Sequence, residues 1–182
     1  MAGLVGKNRF HVYYQKLDDN LAPTGDLIEL GKFKEVGGLS SETDQTEWKT
    51  GADVQIIKIP GLTKFPTLSL KKGFDDDDEI ARWRENIYND GCMQKMDYRD
   101  LYIFVLGRDC KVNRVIYVEK AWPTKYEADN LDGMSNDPWI ESADFAHSGW
   151  KYLRNADKSY ESAGKLIETA LPSYVKTTTS GV

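Results

Sequence analysis

The sequence predicts a mainly β fold: an antiparallel β-sandwich or barrel with one flanking α-helix at about residues 76–90 and a C-terminal extension. Three observations predict it. The dominant hydrophobic period is two residues, the period of strands whose side chains alternate between faces. About seven such runs are separated by clusters of Gly, Pro, Asn and Asp, the punctuation of an all-β chain. A single stretch carries the i, i+3, i+7 spacing of an amphipathic helix with turn-like capping residues.

Residues Arg9 to Gln15 alternate, with Phe10, Val12 and Tyr14 on one face and Arg9, His11, Tyr13 and Gln15 on the other, the pattern of a half-buried strand. Leu27 to Val36 forms the next run, interrupted by a bulge near Gly31 and broken by Gly37-Gly38. Asp53 to Ile59 follows, stopped by Pro60-Gly61, and then Pro66 to Lys71 points Leu68 and Leu70 inward. In the helical stretch Ile80, Trp83 and Ile87 share a face, Asp76 and Glu79 form a capping box, and Gly91 stands at the C′ position. Leu101 to Leu106 is apolar on both faces and so buried on both. Asn113 to Trp122 and Trp139 to His147 alternate again, Pro123 ending the first of them. A weaker helical pattern runs from about Asp157 to Leu171 through Tyr160, Ala163, Ile167 and Ala170, and Thr177 to Val182 reads as a frayed end.

A chain of 182 residues fits one domain and buries roughly 70% of its unfolded surface without a metal or disulfide staple. Its 24 basic and 29 acidic residues leave a net charge of −5, against a dedicated nucleic-acid clamp, which needs a basic face. No run of apolar residues is long enough for a transmembrane helix, and Met1 to Lys7 lacks the apolar stretch of a signal peptide. Cys92 and Cys110 are too few for a disulfide scaffold and read as reduced thiols of a protein made in a cytoplasm.

Nothing in the sequence predicts catalysis. His147 and Ser148 are neighbours in a strand and point to opposite faces, so His147 reads as a structural or interface histidine. The run Asp75 to Asp78 lacks EF-hand spacing and reads as a helix cap instead of a metal site. Gly37-Gly38-Leu39 has no following helix with which to cradle phosphate. Tyr13 and Tyr117 are the exposed aromatics that would suit a ligand-binding barrel, the remote alternative to a structural role. The expectation is therefore no enzyme, no cofactor and no metal.

The order of segments carries more information than any one of them. Phe10-His11-Val12, then Phe33 to Leu39 followed by an acidic stretch with Glu42 and Glu47, resembles the opening of the tail tube proteins of contractile phages. The resemblance continues through Trp48 to Ala52, Ile59 to Pro66, Leu68 to Gly73, Trp83, Ala121 to Tyr126, Met134 to Asn136, Ile140-Glu141 and Phe145 to Trp150. It covers roughly residues 8–152 in order, so the chain divides into a tail-tube β-barrel domain at 1–152 and an extension at 153–182.

The resemblance implies a structural subunit whose hexameric rings stack into a hollow tube inside a sheath. Phage tubes conduct DNA, and the related tubes of R-type bacteriocins and extracellular contractile injection systems deliver protein effectors. A minor tube-initiator or baseplate-adaptor subunit of the same family is the alternative. The implied partners are further copies of the chain, the sheath, baseplate and tail-terminator proteins, and cargo in the lumen. The implied location is a virion tail or an extracellular particle. The polar segment Ser40 to Asp53 reads as an extended hairpin or loop that, by the resemblance, reaches the next ring. Its Glu42, Glu47, Trp48, Lys49 and Asp53 are candidate contacts, with Trp48 as the anchor. The two-sided strand adds Leu101, Ile103 and Val105 as candidate contacts to a neighbour.

Overall fold

The computed structural model describes residues 9–49, 51, 55–74, 78–89, 96–107, 112–134 and 137–153. In chain order these form β1 (Phe10–Leu17), β2 (Pro23–Gly31), β3 (Phe33–Gly37), β4 (Glu42–Trp48), β5 (Ile57–Lys64), β6 (Leu68–Gly73), α1 (Glu79–Asn89), β7 (Arg99–Leu106), β8 (Val112–Ala128), β9 (Ile140–Ala146) and β10 (Gly149–Leu153). Eight strands make one antiparallel sheet in the order β2-β1-β7-β8-β9-β6-β3, with β10 pairing β8 off that path. Among the described residues the remaining two, β4 and β5, pair only with each other. The mainly β architecture with one helix is the expected one.

Two bends let a single sheet wrap a core. At the first, the expected bulge near Gly31 is a full break: β2 pairs β1, whereas β3 crosses to β6. Gly31 takes φ +135°, and the Lys72 side chain lies 3.4 Å from where a Cβ would stand. At the second, β8 carries Lys120 at φ 51° and its N–H is donated to Asp100 Oδ1 at 2.9 Å. One half of β8 therefore pairs β7 and β10, and the other half pairs β9. Pro123 does not end this strand; it sits opposite Phe145, next to a register shift that absorbs its missing N–H.

The principal core gathers Val12, Tyr14, Leu30, Leu68, Leu70, Leu101, Ile103, Val118 and Phe145, and α1 closes it with Ile80 and Trp83. A second cluster on the opposite face of β1 and β7 joins Tyr13, Leu27, Tyr102, Phe104, Leu106, Val115 and Leu153. Strand β7 is thus buried on both faces, as its sequence predicts. Strand β1 is not half-buried: Tyr13, read as an exposed ring, is 1% exposed, and Gln15 is also buried. Gln15 tolerates burial because its Nε2 donates to the Gly25 carbonyl at 2.8 Å and its Oε1 accepts from the Tyr102 hydroxyl. Leu153, assigned to the extension, is the last residue of β10 and belongs to this second core.

Among the described residues the helix spans 11, Glu79–Asn89. Asp76, Gly91, Cys92, Cys110 and the helical pattern at 157–171 lie outside the described residues. Two ion-pair sites fasten the sheet, one buried and one partly buried. Lys72 Nζ meets Glu141 Oε1 at 2.9 Å with both side chains almost fully buried, and the Tyr126 hydroxyl donates to the other Glu141 oxygen. The second pair holds α1 and involves a residue expected to cap it.

Candidate assembly surface

That second pair centres on Arg99, whose guanidinium lies 4.3 Å from the Trp83 ring centroid and 4.6 Å from that of Tyr14. It donates to Asp97 Oδ2 at 2.7 Å and Glu79 Oε1 at 2.6 Å, and the Tyr14 hydroxyl donates to the same Glu79 oxygen at 2.9 Å. Burial alone would raise the Glu79 pKa, but the bonds from Arg99 and Tyr14 outweigh it and hold the carboxyl below its ordinary value. Burial pushes the Tyr14 hydroxyl up to about 12. Glu79 therefore ties the first turn of α1 to β1 and β7 through an internal cluster, in addition to its position at the helix start. The neighbouring acidic residue Asp78 pairs with Arg82 one turn along.

The other expected site residues fall into two places. Glu42, Glu47 and Trp48 lie on β4 and Lys49 directly follows it, all exposed. Asp53 lies outside the described residues. The expected run Asp53 to Ile59 is not stopped by Pro60-Gly61. Strand β5 starts at Ile57, continues through Pro60 and Gly61 to Lys64, and is exposed throughout. In a two-stranded ribbon both strands are edges, so a proline costs no ladder of a third strand.

Register then sorts this ribbon into two faces. Trp48 stands opposite Ile57 and Thr46 opposite Ile59, so one face is largely apolar. Glu47 stands opposite Lys58 on the other face, 3.7 Å away. At the register shift between Thr43 and Gln45, Asp44 reaches Lys64 at 2.7 Å. Trp48 is 54% exposed and Leu62 77% exposed, with Ile57 and Ile59 near half. Isolated two-stranded hairpins are marginal in water, and this one shows its apolar residues to solvent.

Leu101 and Ile103 sit elsewhere. They are 0% and 2% exposed, and their side chains are taken up by the principal core of the same chain. Val105 is half-buried and reaches a groove of about 740 Å³, where the core comes to the surface beside Phe10, Val36, Leu39, Ile116 and Tyr152. Arg114 lies over the Tyr152 ring at 4.8 Å, and Trp150 Nε1 donates to the Ser40 carbonyl at 3.0 Å, tying β10 to the segment after β3. Sequence reasoning missed this groove because its lining comes from five separate segments.

The residues considered for chemistry are engaged structurally. His147 Nε2 donates to the Pro66 carbonyl at 3.0 Å, and its ring packs near Phe65. The carbonyl can only accept, which places the proton on Nε2. Burial lowers the His147 pKa. Tyr117 is half-buried, and its hydroxyl donates to Asp100 Oδ2 at 2.6 Å. Burial raises the pKa of Asp100, and burial together with that bond raises that of Tyr117. Among the described residues, no three His, Cys, Asp or Glu side chains group as metal ligands, and no helix is long and apolar enough to cross a membrane.

Comparison with known proteins matches this architecture. The family model described as T4-like virus tail tube protein gp19 matches residues 7–151. A chain of the anti-feeding prophage baseplate superposes with a TM-score of 0.71 at 15% identity, covering 86% of this chain and all of that one. A chain of the PVC sheath–tube complex, from an extracellular contractile injection system, gives 0.64 at 21% identity, covering 84% of this chain and 93% of that one. A chain of the PVC sheath/tube terminator gives 0.67 at 20%, covering 85% and 99%. No curated protein matches by sequence. With four-fifths of its length matched by one family model and the same fold in these structures, the chain belongs to the T4-like virus tail tube protein family, whose members are structural tube proteins.

Proposed function

We propose that this chain is a subunit of the inner tube of a contractile tail, forming six-membered rings that stack, with the β4–β5 ribbon as the contact from one ring to the next. The observation that carries the reading is the ribbon itself. Among the described residues it pairs with no other strand, and it exposes Trp48, Ile57, Ile59 and Leu62. A neighbouring subunit that covers this apolar face removes the exposed area from water and gives the ribbon the packing it lacks alone.

The tube's lumen conducts DNA in a phage or protein effectors in an injection machine. Six subunits at −5 each give a ring of about −30, and a negative bore repels a nucleic-acid backbone so that cargo slides through. The assemblies from which the superposed structures come supply the partner classes: baseplate, sheath and tube terminator. The particle is a virion tail or an extracellular injection particle built from subunits made in the bacterial cytoplasm.

Negative-stain microscopy of the purified chain tests the reading. Rings or tubes are expected, and Trp48→Ala with Leu62→Asp should leave folded subunits that no longer stack. A strictly monomeric protein at high concentration, with no rings when baseplate components are added, overturns it. Copy number in the particle separates the main tube from a one-ring adaptor subunit, since the tube protein should be among the most abundant bands.

A further inference from the structure

The apolar groove and the apolar face of the ribbon stand at the two ends of one segment. Leu39 lines the groove, the Ser40 carbonyl accepts from Trp150 Nε1, and β4 begins at Glu42. Register puts Glu42 opposite Lys64 at the root of the ribbon and Trp48 opposite Ile57 at its far end. Seven strand residues extend about 20 Å, so the ribbon carries Trp48 and Ile57 away from the groove of their own chain. A hydrogen-bonded ribbon of this length cannot double back to lay its far end on its root.

The two surfaces are complementary nonetheless. In the groove, half-buried Phe10, Val36, Leu39 and Val105 pack against the principal core on one side and are open on the other. Its volume of about 740 Å³ is that of a cleft able to enclose several ring and aliphatic groups. The ribbon supplies Trp48, Ile57 and Ile59 on one face, each about half exposed. Charge agrees as well. Strand β4 carries Glu42, Asp44 and Glu47 and no cation. The groove's rim carries exposed Lys34 and Arg114, while its carboxylate, Glu35, is paired with Lys71 at 3.1 Å.

We propose that the Trp48 face of one copy's ribbon seats in the groove of a second copy, with the acidic strand β4 toward Lys34 and Arg114. The proposal rests on the ribbon being the contact between rings, and it names the surface that receives it. Because the two patches differ, the contact is heterologous: each copy inserts one ribbon and accepts one. A heterologous contact that does not close on itself propagates with a direction, so a stack built this way ends in open grooves on one side and unseated ribbons on the other.

Cross-linking between two kinds of copy tests it. In a Cys92→Ser/Cys110→Ser background, copies bearing Glu47→Cys are mixed with copies bearing Lys34→Cys, and sedimented assemblies are treated with a short bismaleimide. A covalent dimer containing one copy of each kind is expected, and neither kind alone should give it. Lys34→Glu with Arg114→Glu, at two exposed positions, should lower the stacked fraction at least about tenfold while the subunit stays folded, and Glu47→Lys should restore part of it. Absence of the mixed dimer, or of any sedimenting assembly, overturns the proposal. So does a mixed dimer formed within isolated single rings, which would assign the contact to lateral neighbours. If Trp48→Ala abolishes stacking while the charge reversal does not and no mixed dimer forms, the ribbon remains the contact and only the groove is wrong; if Trp48→Ala leaves stacking intact, the ribbon reading itself falls.

Discussion

The eight-stranded body and the β4–β5 ribbon use the same local pattern for opposite ends. In the body, Leu68 and Leu70 alternate with Ser69 and Lys71 and bury their apolar side against Phe145 and Trp83. In the ribbon, Trp48, Ile57 and Ile59 alternate with Glu47 and Lys58 just as regularly, and their apolar side faces water. Alternation therefore marks a surface that must be covered, without saying by which chain. Stability should reside in the body and association in the ribbon, and substitutions can separate the two.

The largest effect is expected at Trp83. Its ring is fully buried, packs on Phe145, lies against Arg99, and donates its Nε1–H to the Asp97 carbonyl at 2.7 Å. Trp83→Ala should cost about 3–5 kcal/mol in denaturant unfolding, from the lost burial and the cavity left behind. A cost below about 1 kcal/mol would mean that α1 is dispensable to the core.

Next comes Lys72→Met. It leaves Glu141 buried without its cation, which should cost about 3–5 kcal/mol. Adding Glu141→Leu should recover much of that loss, because two well-packed apolar groups replace a buried pair with little penalty. If the double variant is no better than the single, the pair does more than neutralise itself, and its bond to the Tyr126 hydroxyl becomes the first suspect.

On the ribbon the order of effects reverses. Trp48→Ala should change unfolding free energy of the isolated subunit by no more than about 0.5 kcal/mol, since over half of the residue is already in water. The same substitution should abolish or strongly weaken ring stacking, read by sedimentation and microscopy. A large stability loss in the monomer would show that the ribbon packs on its own body and would remove the contrast.

The sequence shows where strands occur far better than it shows what covers them. Leu101 to Leu106 announces two-sided burial by composition, and both covers turn out to be intramolecular, the second built from Tyr13, Leu27 and Leu153. His11, Tyr13 and Gln15 read as a solvent face because a tyrosine and a glutamine carry polar atoms; the Gln15 amide finds its partners only after the fold brings Gly25 and Tyr102 to it. The ribbon's first arm was legible from its polarity. The second was not, because Val54, Ile56, Ile57 and Ile59 look like core and Pro60-Gly61 looks like a stop. A proline inside a strongly alternating run is the available signal of an edge. The Arg99 cluster had no local signal at all, since Glu79, Asp97 and Tyr14 come together only in space.

The smallest effect expected is a pH dependence through His147. Burial holds its folded-state pKa below the 6.5 of the exposed ring, so as pH falls the unfolded chain takes the proton first. Stability from the neutral ring is present above pH 6.5 and is lost as pH falls from there through the folded value. Protonation does not directly break the bond to the Pro66 carbonyl, because Nε2–H donates in either state; the loss comes from charging a desolvated ring beside Phe65. Thermal melts between pH 7.5 and 5 should show a falling midpoint that is flatter in His147→Asn. A His147→Asn curve parallel to that of the unaltered chain would show that His147 does not carry the slope. Glu79 does not act in this range, because its lowered pKa removes stability as pH falls only below its ordinary value of 4.5.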